Sequence, residues 1–137
     1  MTDIVLQWRD PADPYAVRTP ATIIGPPGPR AGERLQSLVS AGAVTPSIAL
    51  YDFVDITALA QALSIENPVG TPAPGAPRLM FRIKDDGTSR ALTWATSYVS
   101  GGVPLPSATV TGKIMLLGFL YYSSTSKWML VASTVEP

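Results

Sequence analysis

Residues 78–84, Arg-Leu-Met-Phe-Arg-Ile-Lys, constrain the fold of this chain more than any other segment. Leu79, Phe81 and Ile83 occupy alternate positions, and the other set of alternate positions carries Arg78, Met80, Arg82 and Lys84, three of which are basic. A period of two is typical of a β-strand with one buried face. The segment therefore predicts a half-buried antiparallel strand with Leu79, Phe81 and Ile83 pointing into a core.

A turn signal follows this strand. Asp86 and Gly87 form the kind of dipeptide that favours the two central positions of a tight hairpin, where both residues need a positive φ. We therefore expect a hairpin turn at Asp86 and Gly87. The return strand would cover residues 89–94, with Leu92 and Trp94 on one face.

Further strands are predicted on both sides of this hairpin. Residues 113–122 are apolar at nearly every position, which is typical of a strand covered by the core on one face and by a neighbouring subunit on the other. Residues 127–132 are its expected antiparallel partner across a polar turn at 123–126. Residues 48–54 also have the composition of a strand.

Residues 56–65 are ambiguous. Ile56, Leu59, Ala60 and Leu63 fall at helical spacing, and the segment taken alone favours helix. Its strand-rich surroundings favour a turn followed by a strand near 63–66 instead. Residues 67–77, rich in Pro and Gly, predict a loop.

Closely spaced strands with Gly and Pro turns, and no alternating helices, predict an all-β fold. We expect a small β-sandwich or jelly-roll-like domain over residues 41–137.

The first 40 residues differ in composition and predict an extended, Pro-rich N-terminal arm. A short strand candidate at 3–8 is followed by six prolines, which fix φ and remove backbone donors. Residues 33–39 could add a turn or two of helix. The prolines are Pro11, Pro14, Pro20, Pro26, Pro27 and Pro29.

Two Gly-X-Y triplets begin within the arm, as in a collagen-type triple helix. A stiff polyproline II linker is the favoured alternative, although a short bundle becomes plausible if three chains are already held together elsewhere. The residues of this oligomerisation or linker candidate are Gly25, Pro26, Pro27, Gly28 and Pro29.

The composition bears on partners. Ten basic and ten acidic residues give zero formal net charge, which does not favour nucleic-acid binding. Only 15% of residues are charged while 46% are hydrophobic, so apolar surface is expected to be covered by other copies, the alternative being a monomer with a large core. The longest apolar run, 114–122, is too short for membrane insertion, and without a signal sequence we expect synthesis in the cytoplasm.

The absence of His and Cys removes the usual general base, thiol nucleophile and transition-metal ligands. Asp52 with Asp55, or Asp85 with Asp86, could be imagined as a glycosidase pair, but Asp85 and Asp86 are better explained as turn residues. No Ca²⁺ loop of sufficient acidic density is present. We therefore expect no enzymatic activity, no cofactor and no bound metal.

Five aromatic residues could form a sugar-stacking platform, although aromatic side chains in strands more often lie in a core or a subunit interface. These interface or ligand-stacking candidates are Trp94, Tyr98, Tyr121, Tyr122 and Trp128.

Several motifs occur in a familiar order: NPVGTPAPG at 67–75, RLMFRIKDDGTSRALTW at 78–94, VPLP at 103–106, GK at 112–113, LGFLY at 117–121 and SKWMLVA at 126–132. Over residues 51–132 they resemble a module of tailed-phage fibre, spike and minor structural proteins. In that module Asp-Asn-Gly commonly stands where this chain has Asp85, Asp86 and Gly87. The resemblance implies an all-β sandwich that is non-catalytic and often trimeric.

The expected protein is therefore a non-enzymatic virion component of a bacteriophage or phage-like particle, such as a head or tail fibre, spike or decoration protein. It would assemble in the bacterial host cytoplasm and be exposed on the particle. Residues 1–40 would dock to other virion proteins, and residues 41–137 would form a homotrimer. The alternative is a receptor-binding or carbohydrate-binding adhesin domain at the tip of an appendage, recognising a host-surface glycan.

Overall fold

The computed structural model describes residues 34–75 and 77–137, and every regular element within them is a β-strand. No helix in this described part is long and apolar enough to cross a membrane. The strand candidate at 3–8 and the stretch from Gly25 to Pro29 lie outside the described residues. The strands are β1 (Leu35–Leu38), β2 (Ala43–Val44), β3 (Phe53–Leu59), β4 (Leu63–Ile65), β5 (Arg78–Asp85), β6 (Leu92–Trp94), β7 (Tyr98–Ser100), β8 (Ile114–Tyr122) and β9 (Lys127–Val135).

Two sheets contain these strands. The large sheet has six strands in the order β1-β3-β5-β8-β9-β7, and the small sheet has three in the order β2-β4-β6. The large sheet is mixed, because β5 pairs with β3 in parallel and with β8 in antiparallel orientation. The small sheet is entirely parallel.

The first six strands alternate between the two sheets, odd-numbered strands in the large one and even-numbered strands in the small one. Leu35 lies opposite Phe53, and Phe53 lies opposite Met80. The strands β1, β3 and β5 therefore lie side by side and run in the same direction. Parallel neighbours require such a crossover connection. The all-β class expected from the sequence is confirmed, whereas the parallel pairing within both sheets was not predicted.

The alternation at residues 78–84 is confirmed, and Leu79, Phe81 and Ile83 are completely buried. The predicted hairpin at Asp86 and Gly87 is wrong, because β5 pairs with β3 and β8 whereas β6 pairs with β4 in the other sheet. The two residues do form a bend, but it carries the chain from one sheet to the other. Gly87 has a φ of 101°, and Asp86 does not share the positive φ that the hairpin requires.

The strand predicted at 48–54 begins only at Phe53, after a turn at 48–50. The helical spacing of Ile56, Leu59 and Leu63 has another origin. The pairing register between β3 and β5 shifts between Ile56 and Leu59, and a short turn then separates Leu59 from Leu63. This irregularity buries residues three and four positions apart without a helix, while the strand expected near 63–66 is confirmed in β4.

The helix considered for residues 33–39 is not found, because residues 35–38 form β1 and pair with β3. The large sheet thus begins before the boundary predicted at residue 40. Arg34 reinforces the start of β1, since its guanidinium binds both carboxylate oxygens of Asp52 and also donates to the carbonyl of Ala49 at 2.8 Å.

The hairpin of β8 and β9 is confirmed, with Tyr122 opposite Lys127 next to the turn. Residues 67–75 lack regular strands, as expected, apart from a single bridge between Val69 and Ser47.

One hydrophobic core joins side chains from both sheets. Burial of each large apolar side chain contributes about 1.5–3 kcal/mol, so this shared core is the main favourable term for the described domain. Its completely buried members from the large sheet include Val54, Phe81, Leu117 and Leu130, and those from the small sheet are led by Ile65 and Leu63.

Gly101 provides a test of the packing of β7 against β9. A Cβ atom at this position would lie 2.3 Å from Met129 Cγ and 2.7 Å from the carbonyl oxygen of Leu130. We expect Gly101→Ala to lower the free energy of unfolding by about 1–3 kcal/mol, because the backbone of β9 must move. Chemical denaturation measures the change.

Gly42→Ala is the matched control, since its nearest neighbour is the flexible amide end of Gln61 at 3.3 Å. Equal stabilities of the two variants would contradict the close approach of β7 to β9.

Candidate functional site

The carboxylate of Asp85 lies at the end of β5 and is only 2% exposed. Its Oδ1 accepts hydrogen bonds from the backbone N–H groups of Gly87 at 3.0 Å and Gly112 at 2.7 Å. Its Oδ2 accepts from the hydroxyl of Thr109 at 2.7 Å. One side chain therefore joins the end of β5, the following bend and the segment that leads into β8.

Burial by itself raises the pKa of Asp85, but hydrogen bonds from Thr109, Gly112 and Gly87, with the nearby charge of Arg90, outweigh it and lower that pKa below its usual value. The carboxylate is thus held ionised with its oxygens already engaged. The Thr109 hydroxyl makes a second hydrogen bond, because its oxygen accepts from the backbone N–H of Arg90 at 2.8 Å. These contacts explain Asp85 as a structural group.

Asp86 has a different environment from its neighbour. It lies at the surface and forms an ion pair with Arg90, whose hydrogen bonds lower the pKa of the Asp86 carboxyl. Asp85 and Asp86 consequently accept hydrogen bonds from different side chains, Thr109 for Asp85 and Arg90 for Asp86.

The two residues of the other acidic pair considered from the sequence, Asp52 and Asp55, also bind different arginines. Asp52 is bound by Arg34, while Asp55 receives a two-pronged hydrogen bond from Arg82 on the adjacent strand. The Arg82 guanidinium also lies 5.6 Å from the centre of the Phe53 ring. Among residues 34–75 and 77–137, no three acidic side chains are grouped as metal ligands.

Sequence reasoning missed these ion pairs because their partners are distant in the chain. Arg34 and Asp52 are 18 residues apart, and Asp55 and Arg82 are 27 residues apart. Only the parallel register brings them side by side.

Two of the predicted aromatic candidates, Trp94 and Tyr98, belong to the core. They form a cluster with Phe81 and Phe119 in which ring centres are 5.3–6.2 Å apart. Trp94 Nε1 donates to the carbonyl of Pro106 at 2.8 Å, and the Tyr98 hydroxyl donates to that of Glu66 at 3.0 Å. Burial raises the pKa of the Tyr98 phenol well above its usual value.

The remaining candidates lie on the hairpin of β8 and β9. Trp128 is buried, and the half-buried Tyr121 packs on it with ring centres 5.1 Å apart. Tyr122 is exposed. The structure therefore does not bring the five aromatic residues together as a stacking platform.

The side of the large sheet that faces away from the core is here called the outer face. On β8, Leu117 and Phe119 point into the core, so Leu116, Gly118 and Leu120 lie on the outer face. The register places further apolar side chains beside them: Met80 opposite Gly118, Ala132 opposite Gly118 and Met129 opposite Leu120. The outer face of β8 and β9 is therefore apolar around Gly118, whereas Thr134 lies opposite Leu116 and Lys127 opposite Tyr122.

Basic side chains border this surface along β5. Arg78, Arg82 and Lys84 occupy its outer positions, opposite Leu120, Leu116 and Ile114 of β8. At the Lys84 end, the outer face has a depression of about 200 Å³. The depression is lined by Asp55, Ile56, Thr57, Arg82, Lys84 and Ile114.

The sequence indicated this surface only in part. The apolar run 114–122 predicted a strand covered on both faces, and its inner face is indeed buried in the core. In the part of the chain that the structure describes, however, Leu116 on the outer face is 37% exposed.

The contacts of Asp85 generate a prediction. Asp85→Asn should lower the free energy of unfolding at pH 7 by about 2 kcal/mol, because an amide cannot accept all the hydrogen bonds that the carboxylate accepts. Because the folded-state pKa of Asp85 is lowered, its stabilisation is present above about pH 4 and is lost as pH falls through that pKa. The difference between wild type and variant should therefore shrink toward pH 2 in denaturant titrations.

Asp86→Asn is the matched control, since this neighbouring carboxylate is paired with Arg90 at the surface and should matter less. A difference between wild type and Asp85→Asn that stays constant from pH 7 to pH 2 would contradict the proposed role of the ionised carboxylate.

No protein-family model matches the chain, and no curated protein or solved structure shows significant similarity to it.

Proposed function

We propose that this protein is a non-enzymatic structural component of a bacteriophage or phage-like particle. In this proposal the described domain associates as a homotrimer, and the N-terminal arm docks the assembly to other virion proteins. The protein would be located on the virion as a fibre, spike or decoration component. Its two sheets, packed around their shared core, would form a small β-sandwich.

The observation that carries this proposal is the contrast between the polar groups and the outer face. Asp52, Asp55, Asp85 and Asp86 are each engaged by partners that explain them structurally. By comparison, Leu116, Tyr122 and Val131 of β8 and β9 are apolar side chains that remain exposed in the described domain. Exposed apolar surface of this kind typically marks a protein interface.

The phage assignment rests on the motif resemblance over residues 51–132. The low charge content and zero net charge of the chain also favour a protein that covers its surface by assembly. The two supports are independent, since one concerns the order of motifs and the other concerns composition.

A second candidate is an adhesin that binds a host-surface glycan, and the depression beside Lys84 favours it. Lys84 supplies a cationic group there and Thr57 a hydroxyl, while Arg82 is paired with Asp55 in the same lining. Such a site would suit a sugar that carries a carboxylate.

Removal of residues 1–33 tests the structural proposal. The cut must precede Arg34, because β1 belongs to the large sheet and Arg34 binds Asp52. We expect the truncated protein to remain an oligomer by light scattering and to be absent from particles assembled in a host that lacks the full-length gene. Full-length protein supplied in the same way should be incorporated.

A truncated form that is incorporated as well as the full-length protein would exclude docking by the arm. A full-length protein that is monomeric at all concentrations would exclude the oligomeric component.

The adhesin candidate predicts retention on an immobilised acidic polysaccharide that is reduced at least tenfold by Lys84→Ala. Lys113→Ala is the control, because Lys113 does not line the depression. Its ammonium group donates to the carbonyl of Pro137 instead. Equal retention of both variants would contradict glycan recognition at this site.

A further inference from the structure

The bend after β5 carries a peptide bond of a chemically labile type. Spontaneous isomerisation of aspartate to isoaspartate needs a following residue whose backbone nitrogen is unhindered, and glycine has no side chain to hinder it. Asp86 followed by Gly87 is the only Asp-Gly pair in the chain. The one asparagine, Asn67, precedes Pro68, whose nitrogen carries no hydrogen to lose. The sequence thus singles out one linkage.

We propose that Asp86 is a site of spontaneous isoaspartate formation, and that Arg90 and Asp85 suppress the reaction in the folded protein. This inference goes beyond the proposed virion role and does not depend on it.

The surroundings of the bend leave room for the reaction. The Asp86 side chain is 33% exposed. Around Gly87, no atom of the described residues, its chain neighbours apart, lies within 4 Å of the position that a Cβ would occupy. A cyclic intermediate can therefore form here without displacing a packed side chain.

The reaction balances with water alone. The Gly87 nitrogen forms a bond to Cγ of Asp86, and the bond from Cγ to the hydroxyl of the protonated carboxyl breaks. The hydroxyl leaves with the amide proton as water, which gives a cyclic imide. Water then opens the imide, and when the bond between the Gly87 nitrogen and the Asp86 backbone carbonyl carbon is the one cleaved, the main chain becomes longer by one carbon.

Arg90 opposes the first requirement of this reaction, a protonated carboxyl. Its guanidinium donates to Asp86 Oδ1 from Nε at 3.2 Å and from Nη2 at 2.9 Å, and to Oδ2 at 2.8 Å. These hydrogen bonds lower the pKa of the Asp86 carboxyl. The neutral acid, which is the form that can lose its hydroxyl, is therefore rarer than in an unpaired aspartate.

Asp85 opposes the second requirement, a backbone nitrogen free to lose its proton. The Gly87 N–H donates to Asp85 Oδ1 at 3.0 Å, and Asp85 is 2% exposed. Attack on Asp86 would give up this charge-assisted hydrogen bond. On the other side of the linkage, the Asp86 N–H donates to the carbonyl of Leu59 at 3.1 Å, which holds the backbone of Asp86 in place.

Arg90→Gln tests the protection, and Arg34→Gln is the matched control, because it breaks another arginine–aspartate pair, with Asp52. The folded full-length proteins are incubated at neutral pH, and isoaspartate at residue 86 is quantified by peptide mapping with mass spectrometry. We expect isoaspartate to form about fivefold faster in Arg90→Gln than in wild type, as for the loss of an exposed ion pair. Arg34→Gln should have the wild-type rate.

Wild type unfolded in urea gives a second measurement that does not require a variant to fold. It should form isoaspartate at residue 86 several times faster than folded wild type. Equal rates in folded and unfolded wild type would overturn the protection, and no isoaspartate in the unfolded chain would exclude the site itself. A rate for Arg90→Gln equal to that of wild type, or an equal acceleration in Arg34→Gln, would reject the local role of Arg90.

Discussion

The hydrogen bonds of the Asp85 carboxylate tie the end of β5, the strand with a parallel neighbour on one side and an antiparallel neighbour on the other, to the segment that leads into β8. Gly87 belongs to the bend toward the small sheet, whereas Gly112 and Thr109 belong to the chain returning to the large sheet. Because β8 must enter beside β5, the position of this returning segment sets the register of the central strand pair. A carboxylate with several donors can hold three segments at once, which an apolar contact does not do with comparable directionality.

The sequence predicted local structure well and long-range order poorly, for physical reasons. The alternation at Leu79, Phe81 and Ile83 reports which side of a strand is buried, and it was sufficient to place β5. Asp86 and Gly87 report that the chain bends, but a bend carries no information about which sheet receives the next strand. The spacing of Ile56, Leu59 and Leu63 imitated a helix because a register shift and a turn interrupted the period of two.

In the candidate site, too, local features were predicted from the sequence and long-range contacts were not. Aromatic residues were recognised from the sequence, but whether Trp94 and Tyr98 lie in a core or on a surface depends on both sheets meeting around them. The ion pairs of Arg34 and Arg82 follow from parallel register and have no local signature. In contrast, the unbroken apolar run of β8 was visible directly, since a strand that is apolar at consecutive positions presents apolar groups on both sides.

The order of strand pairing along the chain has a consequence for the kinetics of folding. In the described part, β8 and β9 are the only adjacent strands in sequence that pair directly with each other, and a hairpin of this kind forms within microseconds. Parallel pairs such as β1 with β3 must instead close loops that contain a strand of the other sheet, which gives a high contact order and slow folding. Among the described strands the hairpin is the last pair to be synthesised, so the central strand β5 gains its antiparallel neighbour only after β1 to β7 have been made. Folding of the large sheet is therefore expected to be completed after translation of this region, with the C-terminal hairpin as the template.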